Sequence, residues 1–158
     1  MNETPMPKPD NEDVTEYVTA VVDRQLFGLP IARVQDVFAP ARLTRVPLAP
    51  FEVAGVLNLR GRIVTVIDMR RRLGLPARAS VASDMAIGIE RDGEAYGLLV
   101  DSVGEVMRIS DAIRAANPVN LDQRLAGLSA GVYRLEGELL IVLDVDRVLD
   151  FDTAAKAA

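Results

Sequence analysis

The 158-residue chain carries 18 basic and 23 acidic side chains for a net charge of −5, and is 49% hydrophobic but only 4% aromatic. It has no cysteine, histidine or tryptophan, which excludes disulfides, thiolate nucleophiles, imidazole bases and the usual soft or imidazole metal sites. The acidic balance argues against a general nucleic-acid binder.

Taken in chain order, residues 1–13 hold three prolines among polar residues without periodicity, and predict a disordered leader with no apolar targeting core. Ile63 to Ile67 is a nearly continuous apolar run, whose length and β-branching predict a strand buried on both faces. Asp68 follows it, ahead of a helix-compatible turn, MRRRL. Met85, Ile87 and Ile89 alternate with smaller residues as a half-buried strand does. Asp92-Gly93 then supplies the preference for positive φ of a tight hairpin, and Ala95 to Val100 returns. Leu139 to Leu143 is a second doubly buried run, ending at Asp144 before VDRVL. Asp68 and Asp144 read either as a carboxylate pair or as helix N-caps, and capping is the preferred reading. The tail 152–158 predicts frayed chain.

No run approaches membrane-span length, so a cytoplasmic protein without membrane insertion is expected. Nor is there a phosphate-cradling glycine loop, a metal-ligand spacing, or a histidine base for Ser80, Ser83, Ser102, Ser110 or Ser129. The expectation is a non-enzyme with no catalytic residue, cofactor or metal. Arg60, Arg62, Arg70, Arg71, Arg72 and Arg78 form a basic stretch. Lacking interleaved aromatics, it reads as a solvated face or one complementary to an acidic partner, ahead of a nucleic-acid surface.

An internal repeat carries the most information. Gly55–Leu73 (GVLNLRGRIVTVIDMRRRL) lies over Gly131–Leu149 (GVYRLEGELLIVLDVDRVL) at offset 76 with eight of 19 residues identical, among them Gly55/Gly131, Gly61/Gly137 and Asp68/Asp144. Phe27–Val37 lies over Tyr96–Val106 at offset 69, so the second copy holds seven extra residues (76 − 69) between its blocks, around Asp111–Arg124. Shared glycines and aspartates mark turns and caps that recur for geometric reasons. Two copies in the same order predict an all-β chain with short helices in two lobes, 14–83 and 84–151, each a closed five-stranded barrel. Spacing leaves open whether the lobes exchange chain.

The stretch VPLAPFEVAGVLNLRGRIVTVIDMRRRLGL at Val46–Leu75 resembles the signature region of the CheW-type chemotaxis coupling proteins. FGLPIARVQDV, YGLLVDSVGEV and GLSAGVYRLEGELLIVLDVDRVL extend the resemblance over about 135 residues, leaving the two tails. The resemblance implies two SH3-like β-barrels and an adaptor role within membrane-associated receptor arrays. The partners it implies are a chemoreceptor cytoplasmic tip and the regulatory domain of a CheA-type histidine kinase. Carried over, the receptor contacts fall on Val34, Asp36, Val37, Thr44 and Arg60; the kinase-binding surface is left open. Two departures stand out: Thr65 where the family often has proline, and Asp36 where a longer glutamate is common. Arg60 corresponds to Glu136 in the repeat while Asp36 corresponds to an acidic Glu105. The expectation is therefore an Asp36–Arg60 ion pair special to the first lobe, beside an exposed Val34/Val37 patch. A paralogous coupler of pilus or gliding control, and a small barrel that binds nucleic acid, are the alternatives.

Overall fold

Valine, leucine and isoleucine supply most of the apolar surface, and β-branched side chains pack best on a pleated sheet. The computed structural model describes residues 13–40, 42–77 and 84–151. The leader apart from Asp13, the tail, Arg78, Ser80 and Ser83 lie outside the described residues. A hairpin of β1 (Val14–Val22) and β2 (Gln25–Pro30) leads through a 3-10 turn at Ile31–Arg33 into β3 (Val34–Phe38). A second hairpin, β4 (Val53–Leu59) and β5 (Arg62–Asp68), ends in α1 (Met69–Arg72). The same order then recurs as β6 (Met85–Arg91), β7 (Glu94–Val100), β8 (Ser102–Ser110), α2 (Gln123–Leu128), β9 (Ser129–Leu135), β10 (Glu138–Leu143) and α3 (Val145–Leu149).

The strands form two five-stranded sheets of equivalent order, β3-β6-β7-β5-β4 and β8-β1-β2-β10-β9. The sheets therefore do not follow the chain halves 14–83 and 84–151. Each half donates its first hairpin to the other half's sheet, and the parallel pairings β5–β7 and β10–β2 are the seams. The links explain this correction. Asp101 alone separates β7 from β8, and even the tightest hairpin needs two residues to reverse, so the chain runs on into the neighbouring sheet. The 3-10 turn after β2 carries it across in the opposite sense.

Strand alternation divides the apolar side chains among three clusters. Phe38, from one edge of the first sheet, packs against Leu57, Val64, Val66 and Leu99, closing that sheet into the first barrel. Tyr17, Ile109, Tyr133, Leu140 and Val142 fill the second. The largest cluster lies between the barrels and takes the opposite faces of the same strands, including Phe27, Ile67, Ile87, Ile89, Leu98 and Ile141. Leu140 to Leu143 are accordingly buried on both faces. The Ile63–Ile67 run differs at its start, because Ile63 sits just past the hairpin turn and is 60% exposed.

Arginines of the first barrel clamp α3. Arg72 donates to the carbonyls of Val148 and Arg147 at 2.9 Å each, and Arg91 Nη1 lies 2.9 Å from Asp150 Oδ1. The two barrels thus form one packed unit.

Candidate functional site

Turn chemistry sets the geometry of the site. β4 and β5 meet at a two-residue turn, Arg60-Gly61, with φ of 53° and 82°. Asn58 Oδ1 accepts the Gly61 N–H at 2.9 Å and fixes the corner. An L-residue in the left-handed region costs about 1 kcal/mol or more, so the packed hairpin holds Arg60 in a conformation it would not choose alone. Glu136, its repeat partner, has no positive φ, although Gly137 matches Gly61 at 82°.

From this corner the Arg60 guanidinium reaches β3. Its Nη2 lies 2.8 Å from Asp36 Oδ2, and Nη1 donates to the same oxygen at 3.4 Å. The side chains are 67% and 31% exposed respectively, so the carboxylate is the better-held partner. The pair stands at the rim of an open hollow of about 240 Å³ floored by Phe38, Leu59, Val64, Gly88 and Ala95. Arg62 flanks the same hollow, donating to the Gly93 carbonyl at 2.8 Å and lying 3.4 Å from Glu90.

The structure therefore brings Asp36 and Arg60 together across the mouth of the first barrel. Val37 is exposed beside them, whereas Val34 is half-buried against the inter-barrel cluster. A bulge between Val34 and Asp36 sets Val34, paired with Ile89, apart in register from Asp36 and Val37. The expected Val34/Val37 patch thus reduces to Val37 on the open surface. Thr44 is exposed and pinned to β4 by reciprocal backbone hydrogen bonds with Val56 of 2.8 and 2.9 Å. Thr65, where proline is common in the family resembled, pairs with Val56 on one side and Tyr96 on the other, inside the sheet.

Among the described residues, Arg70, Arg71 and Arg72 of the basic stretch are engaged within the fold. Arg70 makes a bidentate contact with Asp101 at 3.0 and 2.7 Å, and hydrogen bonding to that carboxylate raises its pKa above the ordinary guanidinium value. Arg71 lies over the Phe51 ring, and Arg72 is spent on α3. Asp68 accepts the backbone N–H groups of Arg70 and Arg71, and Asp144 accepts that of Arg147, so both aspartates act as helix caps. Among the described residues, no group of three or more carboxylates is placed to hold a metal.

The chain matches the CheW-like domain over residues 16–152, nearly the whole of its described length. The chain belongs to the CheW-like domain family. It is 27% identical over 143 residues to the chemotaxis protein CheW of Helicobacter pylori, covering 90% of this chain and 86% of that one. With the chemotaxis protein CheW of Thermotoga maritima the identity is 28% over 135 residues, covering 85% and 87%. The crystal structure of the scaffolding protein TtCheW from Thermoanaerobacter tengcongensis superposes with a TM-score of 0.74 at 28% identity, covering 82% of this chain and 88% of that one. A CheW-like domain is a non-catalytic adaptor, and at Asp36 and Arg60 this chain presents a charged corner, an exposed valine and a shallow, partly apolar floor. Sequence reasoning found the charged corner but missed its floor. The one signal available was the substitution of Thr19 by Gly88 across the repeat.

Proposed function

We propose that this chain couples chemoreceptors to a CheA-type histidine kinase in chemotaxis signalling, docking a receptor's cytoplasmic tip at the Asp36–Arg60 corner while another surface holds the kinase's regulatory domain. The reading places the protein in the cytoplasm at receptor arrays; no helix among the described residues is long and apolar enough to cross a membrane. The observation that carries it is the asymmetry of two otherwise repeated barrels. The first has an arginine 2.8 Å from an aspartate at its mouth, and the second has Glu136 in the arginine's place. Solvent-exposed pairs add only about 0–1 kcal/mol to stability, so folding gives little reason to keep one. At the rim of an interface the same pair orients a partner and rejects wrongly charged ones.

The mechanism is positional. The adaptor transmits a signal to the extent that the receptor's two states engage the complex with different free energies. Co-sedimentation with receptor hairpin tips tests the site. Arg60→Glu places two carboxylates at the corner and is expected to abolish recruitment while changing the unfolding free energy by about 1 kcal/mol or less. Recruitment that survives the reversal, or a variant that loses binding only because it unfolds, overturns the assignment.

A further inference from the structure

We propose that Gly88 is the positioning residue of this corner: its missing side chain is the bed on which the Asp36 carboxylate lies, and it decides which of the two barrels carries the site. The proposal deepens the receptor-docking reading and rests on that reading only for its binding readout.

The two barrels share the bulge that presents the acidic residue. On β3 the register steps from Val34↔Ile89 to Asp36↔Gly88 to Val37↔Ile87. On β8 it steps from Val103↔Ala20 to Val106↔Val18, the same positions at offset 69. Asp36 and Glu105 are therefore equivalent in backbone as well as in sequence. What differs is the strand beside them, where Gly88 of β6 corresponds to Thr19 of β1.

A Cβ on Gly88 would fall 2.2 Å from Asp36 Oδ1, an overlap no packing tolerates. Its nearest backbone atom, the Asp36 carbonyl oxygen, would be 3.4 Å away, an ordinary contact. Gly88 has no positive φ, so the strand itself would accept a side chain. The carboxylate alone is in the way. With the side chain absent, Asp36 folds inward over the sheet, and its other oxygen faces Arg60.

The second barrel solves the same crowding in reverse. Thr19 is buried, and its hydroxyl donates to the Glu105 carbonyl at 2.6 Å. The glycine is now on the opposite strand: a Cβ on Gly104 would lie 2.6 Å from Thr19 Oγ1. In each barrel one side of the bulge yields its side chain to the other, and only the first barrel yields to the carboxylate. The floor follows the same division. Gly88 and Ala95 line the hollow under the pair where Thr19 and Leu26 stand in the second barrel.

The test is Gly88→Ala beside Asp36→Ala and the double variant, read by crystal structure, thermal unfolding and receptor-tip co-sedimentation. In Gly88→Ala the carboxylate is expected to be displaced and its contact with Arg60 broken in the crystal structure. Tip affinity falls by about tenfold, as in Asp36→Ala, and the double variant is no weaker than either single one. A crystal structure in which Gly88→Ala keeps the 2.8 Å contact overturns the proposal whatever the binding shows. If Asp36→Ala binds tips normally, the docking reading falls, and the crystal structure alone still decides the role of Gly88. Should Gly88→Ala fail to fold, the double variant must fold, because removing the carboxylate clears the space; failure of both shows that the sheet itself needs the glycine and overturns the proposal.

Discussion

Tyr17 and Tyr133 occupy the interior of the second barrel as an edge-to-face pair, ring centroids 5.6 Å apart, with their hydroxyls 3.0 Å from one another. Asp111 anchors the group, since its Oδ1 accepts from Thr15 Oγ1 at 2.7 Å and from the Tyr133 hydroxyl at 3.4 Å. Burial, then the hydrogen bond with Tyr17, push the Tyr133 phenol well above its ordinary pKa. The sign follows from linkage: the unfolded chain ionises first, from about pH 10, so the group's contribution to stability is complete below that pH and is lost as pH rises toward the folded value. Tyr133→Phe is expected to cost about 1–2 kcal/mol near neutrality by leaving the Tyr17 hydroxyl short of a partner. It should also flatten the alkaline decline in stability. Urea midpoints for the two proteins between about pH 8 and about pH 11 check both, and an unchanged alkaline slope refutes the phenol's part in it.

At the level of elements, the repeat explains why two glycines recur. Thr44 and Ala115 each bridge into a hairpin strand, at Val56 and Val132, immediately after Gly55 and Gly131. A Cβ on Gly55 would stand 2.7 Å from the Thr44 carbonyl oxygen, and one on Gly131 would stand 2.9 Å from Arg114 Cδ. Gly55→Ala must therefore push backbone aside, and a loss of about 1–3 kcal/mol with release of the Thr44 bridge is expected. Slowed amide exchange at Thr44 in the parent protein, lost in the variant, is the measurement; retained protection refutes it. These glycines were legible in the sequence as shared positions at offset 76, and so were the Asp92-Gly93 turn, whose φ values are 54° and 81°, and the capping aspartates. All of these are local: a turn or a cap is written in the residues that form it. The fate of the arginines was not legible, because Arg70 finds Asp101 and Arg72 finds Val148 across the fold. Ile63 misled for the same reason, since an apolar run does not show which of its residues reaches the rim of a barrel. Gly88 lies between these cases, visible as a departure from Thr19 but meaningless until Asp36 is seen above it.

The molecule as a whole is organised by the exchange of hairpins. Within residues 13–83 the described strands β1 and β2 lack β8 and β10, while β3, β4 and β5 lack β6 and β7. Neither half contains a closed barrel, and the inter-barrel cluster draws on both halves, Phe27 and Ile67 meeting Leu98 and Ile141. The repeat by itself is equally compatible with two halves that each fold alone. The two pictures separate cleanly when residues 1–83 and 84–158 are produced as separate chains. Each is expected to lack cooperative unfolding and native dispersion, because every sheet would expose an unpaired edge and half of its apolar face. Mixed in equal amounts, they are expected to pair their hairpins and recover both, in a reaction that depends on concentration. A half that folds and melts cooperatively without its complement would mean that the hairpin can return to its own sheet. The short links at Ile31–Arg33 and Asp101, which carry the chain from one barrel to the other, would then have to reverse it instead.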